Sequence, residues 1–292
     1  MADKVGVFNR LGYDDNTTTA TVEFEFLAGS TIGVTEQVIG TDGMRGSRSH
    51  FDDRARRGTR RVDGTLMFAP TPAELNTLLY LALGGTKSGN TIPLAEALPE
   101  AYWIAVRDGT TYSYNGCVVD TLTITAQEGG PVQASLQVVG KDEAEAGSIG
   151  ANTIDASTGG PFVLTDGALT IASTTYEFSS IEVRVENRLE VKYRNSLTPT
   201  QIKATDRIVT VSLGGLSLGD SSAVYGSAAT AVAVAATFTN GAFSLGLSMA
   251  KVRAPKQPLP FGQRGILDLA WQGVARKTGS TDELVVTVDS TA

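Results

Sequence analysis

The sequence contains one cysteine, Cys117, and one histidine, His50, among 292 residues. A single cysteine cannot form a disulfide within the chain, and a zinc site of the usual cysteine and histidine ligands is excluded. A serine–histidine relay would have to use His50, which lies among arginines that disfavour its protonated form. We therefore expect neither a zinc centre of this kind nor serine–histidine catalysis. Cys117 begins an apolar segment and is predicted to be a small buried hydrophobic residue.

The sequence also lacks an apolar run that is typical of a membrane span. Residues 221–250 carry no charge, and their number would allow a spanning helix. Asn240 and Gly241 interrupt this stretch, however, and serine and threonine recur along it. The pattern favours a short alanine-rich helix at 223–229 followed by a hairpin. The first residues contain no apolar segment of the kind found in signal peptides, so we expect no contact with a membrane.

Charge is distributed unevenly along the chain. The formal net charge is −7, but residues 45–61 hold seven arginines, two aspartates and no lysine, which gives this segment +5 and leaves −12 for the rest. Proteins that wrap nucleic acid need a basic face rather than one basic arm. Because arginine pairs bidentately with carboxylates, we expect the segment to contact acidic surface on another copy of the chain. A solvated charged hairpin and a nucleic-acid contact are the alternatives. The arginines are Arg45, Arg48, Arg54, Arg56, Arg57, Arg60 and Arg61.

A strand and a capped helix follow the arginine-rich segment. Residues 62–68 alternate between apolar and polar positions, which predicts a strand with one buried face. Thr71 then stands where an N-cap belongs, with Pro72 at the first helical position and Glu74 three residues after the cap. Leu75, Leu78, Leu79 and Ala82 follow at helical spacing and form one apolar face. Gly84 and Gly85 are predicted to end the helix.

Apart from residues 1–18, the remaining segments of the first half are predicted to be strands with polar outer faces, separated by turns and loops. Residues 1–18 are irregular and polar, typical of a terminal arm. Alternation predicts half-buried strands. Asp108-Gly109 is a tight-turn signal between two of them, and Asn115-Gly116 is a second turn or bulge signal. The predicted strands are 20–27, 32–39, 102–107, 112–114, 121–125 and 132–138. The residues predicted to face outward on three of these strands are Glu23, Glu25, Thr121, Thr123, Thr125, Gln133, Ser135 and Gln137.

The second half repeats this order of elements. A strand at 181–186 leads into an extended excursion at 187–206, and a returning strand, a short helix, a hairpin and a last core strand at 266–274 follow. The Asn-Gly pairs at 115–116 and 240–241 occupy corresponding places in the repeat. We therefore predict an all-β fold, a sandwich or barrel with a short flanking helix, in two tandem copies. The predicted domains are 1–143 and 161–292, joined by a linker at 144–160 that is low in apolar residues.

The order of these motifs resembles the major tail tube proteins of long-tailed, siphovirus-like bacteriophages. The resemblance covers about residues 25–140 and rests beyond them on the repeated plan. It is carried by 40–48, the arginine-rich loop at about 41–62, 62–66, the Pro-Thr-Pro-Ala-Glu-Leu segment at 70–75, 83–85, 116–124, 128–130 and 132–140.

The resemblance implies a structural virion protein of the phage tail that assembles into stacked rings, and with it we expect no enzymatic activity, no metal and no cofactor. One sheet from each domain would line a lumen, and a long loop would reach a neighbouring subunit or ring. Family members with one domain form hexamers, and those with two form trimers with pseudo-sixfold symmetry. The repeated plan favours the trimer, with the hexamer as the alternative. The implied partners are other copies of the chain, a tape-measure protein in the lumen, and DNA that passes through during ejection without sequence-specific binding.

The outward-facing residues named above are the candidate lumen lining. Uncharged polar or acidic side chains would not attract phosphates, so DNA could pass without sticking. Two other function classes stay open. The first is another tail component on the same fold, such as a terminator, a distal adaptor or the tube of a phage-derived injection device. The second is a β-sandwich hydrolase or carbohydrate-binding module, although the sequence offers no carboxylate pair at catalytic spacing and no evident aromatic platform.

Overall fold

The structure is a computed structural model that describes residues 9–40, 55–150, 159–217, 230–256 and 268–291. Within these ranges the chain is mostly β, which confirms the predicted all-β class with a short helix. The strands of the first half are β1 Arg10–Asp14, β2 Thr19–Ala20, β3 Val22–Phe24, β4 Thr31–Ile39, β5 Arg56–Phe68, β6 Thr91–Ile92, β7 Ala101–Arg107, β8 Thr110–Gln127, β9 Gln133–Gly140, β10 Asp142–Ala144 and β11 Ser148–Ile149. The predicted helix at 223–229, His50 and three of the arginines (Arg45, Arg48 and Arg54) lie outside the described residues.

The second half contributes ten further described strands and a short 3-10 turn at Leu164–Asp166. The strands are β12 Gly167–Ile171, β13 Thr174–Tyr176, β14 Ser180–Glu186, β15 Leu189–Lys192, β16 Gln201–Ala204, β17 Ile208–Ser217, β18 Val232–Asn240, β19 Phe243–Arg253, β20 Asp268–Ala275 and β21 Val285–Asp289.

Seven of these strands form one antiparallel layer, which we call the front sheet. Its order is β4-β5-β9-β8-β14-β17-β20. The layer crosses from the first half to the second where β8 pairs with β14, with Gln127 opposite Ser180 and Thr121 opposite Glu186. This junction joins both halves in one sheet.

A second layer packs against the front sheet. In the first half it consists of β3-β1-β7-β8-β10, and in the second half of β13-β12-β18-β19-β21-β6. β8 belongs to both layers, because its residues 110–117 pair with β7 and its residues 118–125 pair with β9. The space between the layers is filled by one hydrophobic cluster that draws on both halves. The core is therefore continuous along the chain.

Four aromatic side chains form the centre of the first half's core. Trp103, which is fully buried, lies 5.7 Å from Tyr13, 5.8 Å from Phe24 and 6.3 Å from Phe68, measured between ring centroids. These separations and tilts are those that aromatic pairs prefer. Trp271 is also buried in the second half, so both tryptophans are core residues.

The helix, α1, spans Pro72–Leu83 and confirms its predicted cap. The backbone N–H of Glu74 donates to Thr71 Oγ1 at 3.3 Å, and Glu74 Oε2 accepts from the backbone N–H of Thr71 at 2.8 Å. Gly84 ends the helix with a φ of 81°, a left-handed conformation that favours glycine. The leucine face of α1 is buried in the core, so the helix lies against the sandwich.

Two ends of the fold differ from the sequence prediction. Residues 1–18 were expected to form a terminal arm, but β1 is a core strand in which Leu11 and Tyr13 are buried. Gly12 interrupts its apolar pattern because a Cβ there would meet Ala20 Cβ at 2.4 Å. The strand at 266–274 was expected to be the last, but β21 follows it and buries Val286 and Val288. Short strands carry too few residues for their alternation to stand out.

The predicted strand at 20–27 is also shorter than expected, because it is broken into β2 and β3 and ends at Phe24. The predicted equivalence of the two Asn-Gly pairs is wrong. Asn240 is the last residue of β18 and Gly241 begins the two-residue turn to β19, whereas Asn115 and Gly116 lie inside β8. Gly116 has a φ of 56° at an irregularity in the pairing of β7 with β8. Asp108 and Gly109 form the turn between β7 and β8, as their sequence predicts.

Candidate assembly surfaces

The front sheet presents a polar face on the side away from the core. It carries the six uncharged candidates for the lumen lining, which alternate along β8 and β9 with buried apolar residues. They face one another as three cross-strand pairs, Thr121 with Gln137, Thr123 with Ser135 and Thr125 with Gln133. The structure thus brings these six residues together on one surface. Thr121 is the most enclosed of them, with 3% of its surface exposed.

The polar face continues into the second half, which the sequence analysis did not foresee. Arg184 on β14 lies opposite Thr123 on one side and Thr210 on the other. The alternation of residues 181–186 did indicate which of its side chains face outward, but not that they adjoin Thr121 and Thr123. Side chains of both halves therefore form one continuous face.

The charges on the polar face are mixed, with an excess of carboxylates. Arg61 pairs with Asp63 at 3.0 Å, and Arg184 pairs with Glu186 at 2.9 Å. Two further carboxylates have no ion pair among the described residues, so the face is slightly acidic. The charged residues on or beside the face are Arg61, Asp63, Asp120, Glu182, Arg184 and Glu186.

Glu23 and Glu25 do not join this face. Glu23 lies on β3 in the second layer and is only 5% exposed. Arg10 donates to its two carboxylate oxygens at 2.7 Å and 2.8 Å, and this hydrogen bonding raises the pKa of Arg10. Glu25 is exposed but follows the end of β3. The sequence analysis placed Glu23 outward because it could not locate Arg10, whose pairing buries the carboxylate.

The arginine-rich segment is partly a strand rather than a loop. β5 begins at Arg56, so the loop predicted for about 41–62 ends earlier, and the last four arginines lie on a β-ribbon with β4. β9 reaches only to Val62, so residues 56–61 of β5 stand beyond the front sheet. Charged residues alternate on both sides of such a ribbon because neither face is buried, and the pattern then gives no strand signal.

Three of these four arginines have acidic partners within the chain. Arg57 lies 2.9 Å from Glu36, Arg60 lies 3.0 Å from Asp142, and Arg61 is held by Asp63. The Arg57 side chain is nevertheless 73% exposed. Exposed ion pairs of this kind contribute little to stability, so the pairing with Glu36 leaves Arg57 available for other contacts.

The base of this ribbon also touches the second half. The excursion predicted at 187–206 is the hairpin of β15 and β16, and the backbone N–H of Arg60 donates to the Leu197 carbonyl near its tip at 2.8 Å. Leu197 is 55% exposed. The β4–β5 ribbon and the β15–β16 hairpin therefore lie beside each other.

Side-chain hydrogen bonds connect the two halves of the chain. The Nδ2 of the buried Asn187 donates to the Ala82 carbonyl at 3.0 Å and to the Val119 carbonyl at 3.1 Å. Arg207 donates to the Ala95 carbonyl at 2.9 Å and to Glu283 at 2.6 Å. The contacts with Ala82, Val119 and Ala95 cross the junction, because these residues belong to the first half, whereas Glu283 belongs to the second half and orients Arg207.

Among the described residues, neither an exposed thiol nor a cluster of three possible metal ligands occurs. Cys117 is buried, as predicted, and burial raises the pKa of its thiol, so the reactive thiolate is disfavoured. Within the described ranges, no three histidine, cysteine or acidic side chains come close enough to hold a metal ion. The helical structure described in those ranges lacks the length and apolar character needed to cross a bilayer.

Comparison with known families matches a family model described as phage tail tube protein to residues 9–274. The match covers nearly the whole chain and both of its halves. The chain belongs to the phage tail tube protein family. This tail tube protein is thus a structural component of the virion, and membership implies that copies assemble into a tube. A comparison with curated proteins gives no match.

Proposed function

We propose that three copies of this tail tube protein close into a ring with pseudo-sixfold symmetry, and that stacked rings form the conduit through which DNA passes during ejection. The observation that carries the proposal is the repetition of strand pairings in the two halves. Five antiparallel pairings recur in the same order. The pairs β1–β7, β7–β8, β8–β9, β4–β5 and β5–β9 correspond to β12–β18, β18–β19, β19–β20, β14–β17 and β17–β20.

This repetition supports a tandem duplication of one tail tube domain. The corresponding strands include β4 in the first half and β14 in the second. β14 pairs on its free side with β8 of the first half, whereas β4 has no described partner besides β5. In the proposed ring, the free side of β4 meets the second half of the next copy, just as β14 meets the first half of its own chain.

The two ends of the front sheet are suited to such closure. β4 is one end. At the other end β20 pairs with the last residues of β19, Val252 and Arg253, and β19 corresponds to β8, the strand that β14 meets. Unpaired strand edges are a liability in a free subunit, and closing a barrel removes them. With the end of β19 added to the seven strands of the front sheet, each copy supplies eight strands, four from each half. Three copies, with a strand spacing of ~4.8 Å and a tilt of roughly 40°, enclose a barrel about 50 Å across between backbones.

The proposed lumen lining is the polar face of the front sheet. Its threonine, serine and glutamine side chains offer hydrogen bonds without positive charge, and its ion-paired arginines have their charge balanced by nearby carboxylates. A slightly acidic wall does not attract phosphates, so neither DNA nor a tape-measure protein needs to be bound specifically while it occupies the tube.

The decisive experiment is negative-stain electron microscopy of the purified chain at high concentration, with averaging of end-on views. We expect tubes with a central hole and threefold or pseudo-sixfold end views, and a ring mass of three chains by light scattering. A ring mass of six chains would replace the trimer by the hexamer. A chain that stays monomeric at all concentrations would contradict self-assembly and favour an adaptor role.

A further inference from the structure

The strands of the front sheet end in two different kinds of structure. At one end, β4 and β5 extend beyond the sheet as a two-stranded ribbon. At the other end lies the turn between β8 and β9, where the backbone N–H of Glu128 donates to the Ser179 carbonyl at the entry to β14. The register places these ends apart, because on β9 Gly140 lies opposite Val62 and Ala134 lies opposite Phe68.

The ribbon carries an unusual surface for an exposed element. Val38 is 68% exposed and Ile39 is 51% exposed, and they are two of the few large hydrophobic residues that are exposed in the described structure. Val38 lies opposite Arg57, and Ile39 lies opposite Arg56. We call these four residues, Val38, Ile39, Arg56 and Arg57, the ribbon stem. Each of its two faces therefore carries one aliphatic side chain and one guanidinium group. Exposed apolar side chains beside charged ones are typical of a protein contact surface.

The opposite end of the sheet contains an open cavity of about 820 Å³, which we call the end pocket. Leu164 and Phe178 are partly exposed in its wall, and Tyr176 is buried behind it. Glu128 and Glu177 are exposed at its border and form no ion pair with any described residue. The end pocket thus combines an apolar wall with two unpaired carboxylates.

The ribbon stem and the end pocket are complementary in chemistry. Val38 or Ile39 would cover the exposed apolar wall, and Arg56 and Arg57 would pair with Glu128 and Glu177. One chain cannot make this contact with itself, because the two surfaces lie at opposite ends of its front sheet. A contact between different surfaces of identical copies is heterologous, and when it does not close it propagates as an open filament.

We propose that the ribbon stem of one copy docks into the end pocket of a copy in the next ring. The contact rests on the proposed stacking of rings and identifies the acidic surface that receives the arginine-rich ribbon. It also gives the tube a direction, since every ring presents ribbon stems at one end and end pockets at the other.

The test is a charge reversal on each side. The Glu128→Lys/Glu177→Lys variant and the Arg56→Glu/Arg57→Glu variant should both keep the trimer mass of a ring by light scattering. Each should raise the protein concentration needed for sedimentable tubes by on the order of tenfold or more, the effect of ~1.4 kcal/mol at each contact. A chain with all four substitutions should regain tubes, because its reversed charges are again complementary.

The control is Asp15→Lys/Glu145→Lys, which makes the same change of net charge at exposed positions outside both surfaces. It should form tubes at the wild-type concentration. Wild-type tube formation by Glu128→Lys/Glu177→Lys would overturn the contact, and so would loss of the trimer in that variant, because the acids would then belong to the ring itself. A wild-type chain that never forms rings would refute the ring proposal, and the contact with it.

Discussion

The side-chain amide of Asn187 donates hydrogen bonds to the carbonyls of Ala82 and Val119, at 3.0 Å and 3.1 Å. Asn187 follows β14 in the second half, whereas Ala82 lies in the last turn of α1 and Val119 on β8 in the first half. One buried side chain therefore satisfies two carbonyls across the junction. Ala82 is near the helix end, where carbonyl groups lack a partner within the helix.

Replacing Asn187 by alanine should lower the free energy of unfolding by about 2 kcal/mol, because two buried carbonyls lose their donor. The measurement is urea unfolding of the wild type and the variant under conditions where the chain is not polymerised. Asn195→Ala, at an exposed position on the neighbouring hairpin, is the matched control and should change stability little. Equal effects of the two substitutions would show that the amide does not hold the junction.

Replacing Thr71 by alanine removes the side-chain cap of α1 and should cost about 1 kcal/mol of stability. The same substitution at Thr77, inside the helix, removes no capping bond. Denaturant unfolding of both variants checks the prediction, which fails if Thr71→Ala is as stable as Thr77→Ala.

The capping motif shows which features of this fold a local pattern can predict. Thr71, Pro72 and Glu74 specify the start of α1 within four residues, and the alternation along β8 and β9 correctly assigned their faces. The junction of β8 with β14 could not be predicted, because no local pattern gives the register of strands some sixty residues apart. For the same reason Glu23 was misplaced, since its exposure depends on the position of Arg10 on a neighbouring strand.

The stability of the chain should depend on Asp14 at acidic pH. Burial opposes ionisation of Asp14, but hydrogen bonds from the backbone N–H groups of Asn16 and Thr17 outweigh it, and the pKa of Asp14 lies below its ordinary value. A lowered folded-state pKa gives stability that is present above the unfolded pKa and is lost as pH falls through the folded value.

Wild-type stability should therefore fall below about pH 4, the ordinary pKa range of aspartate, and Asp14→Asn should fall less steeply over that range. Urea unfolding at a series of pH values from neutral to acidic measures both slopes. Parallel curves for the two chains would show that Asp14 is not a source of the acid dependence.

Cys117 should be unreactive in the folded chain, because it is buried and burial raises the pKa of its thiol. A colourimetric thiol reagent should modify it fully in denaturant and only slowly in native buffer. Fast modification of the native chain would contradict its placement between the layers.

Because Cys117 is buried, a cysteine introduced at an exposed position would react much faster than Cys117 and can therefore report on the proposed lumen. Thr123→Cys should react with a small maleimide in free rings and in tubes, but with a large polyethylene glycol maleimide only in free rings, since the long polymer is excluded from a narrow bore. Glu145→Cys, on the second layer, should react with both reagents in both states. Modification of Thr123→Cys by the large reagent along intact tubes would place the polar face outside.

Because the front sheet runs through both halves of one chain, we expect a ring to nucleate faster than a ring of six separate domains would. In a ring of six separate domains, every domain must be recruited by a diffusional encounter, and the rate of nucleation falls steeply when subunits are scarce. Here the contact between β8 and β14 is already made when the chain folds. In the proposed ring, half of the domain junctions then form independently of concentration, and completing a ring requires only three partners to meet.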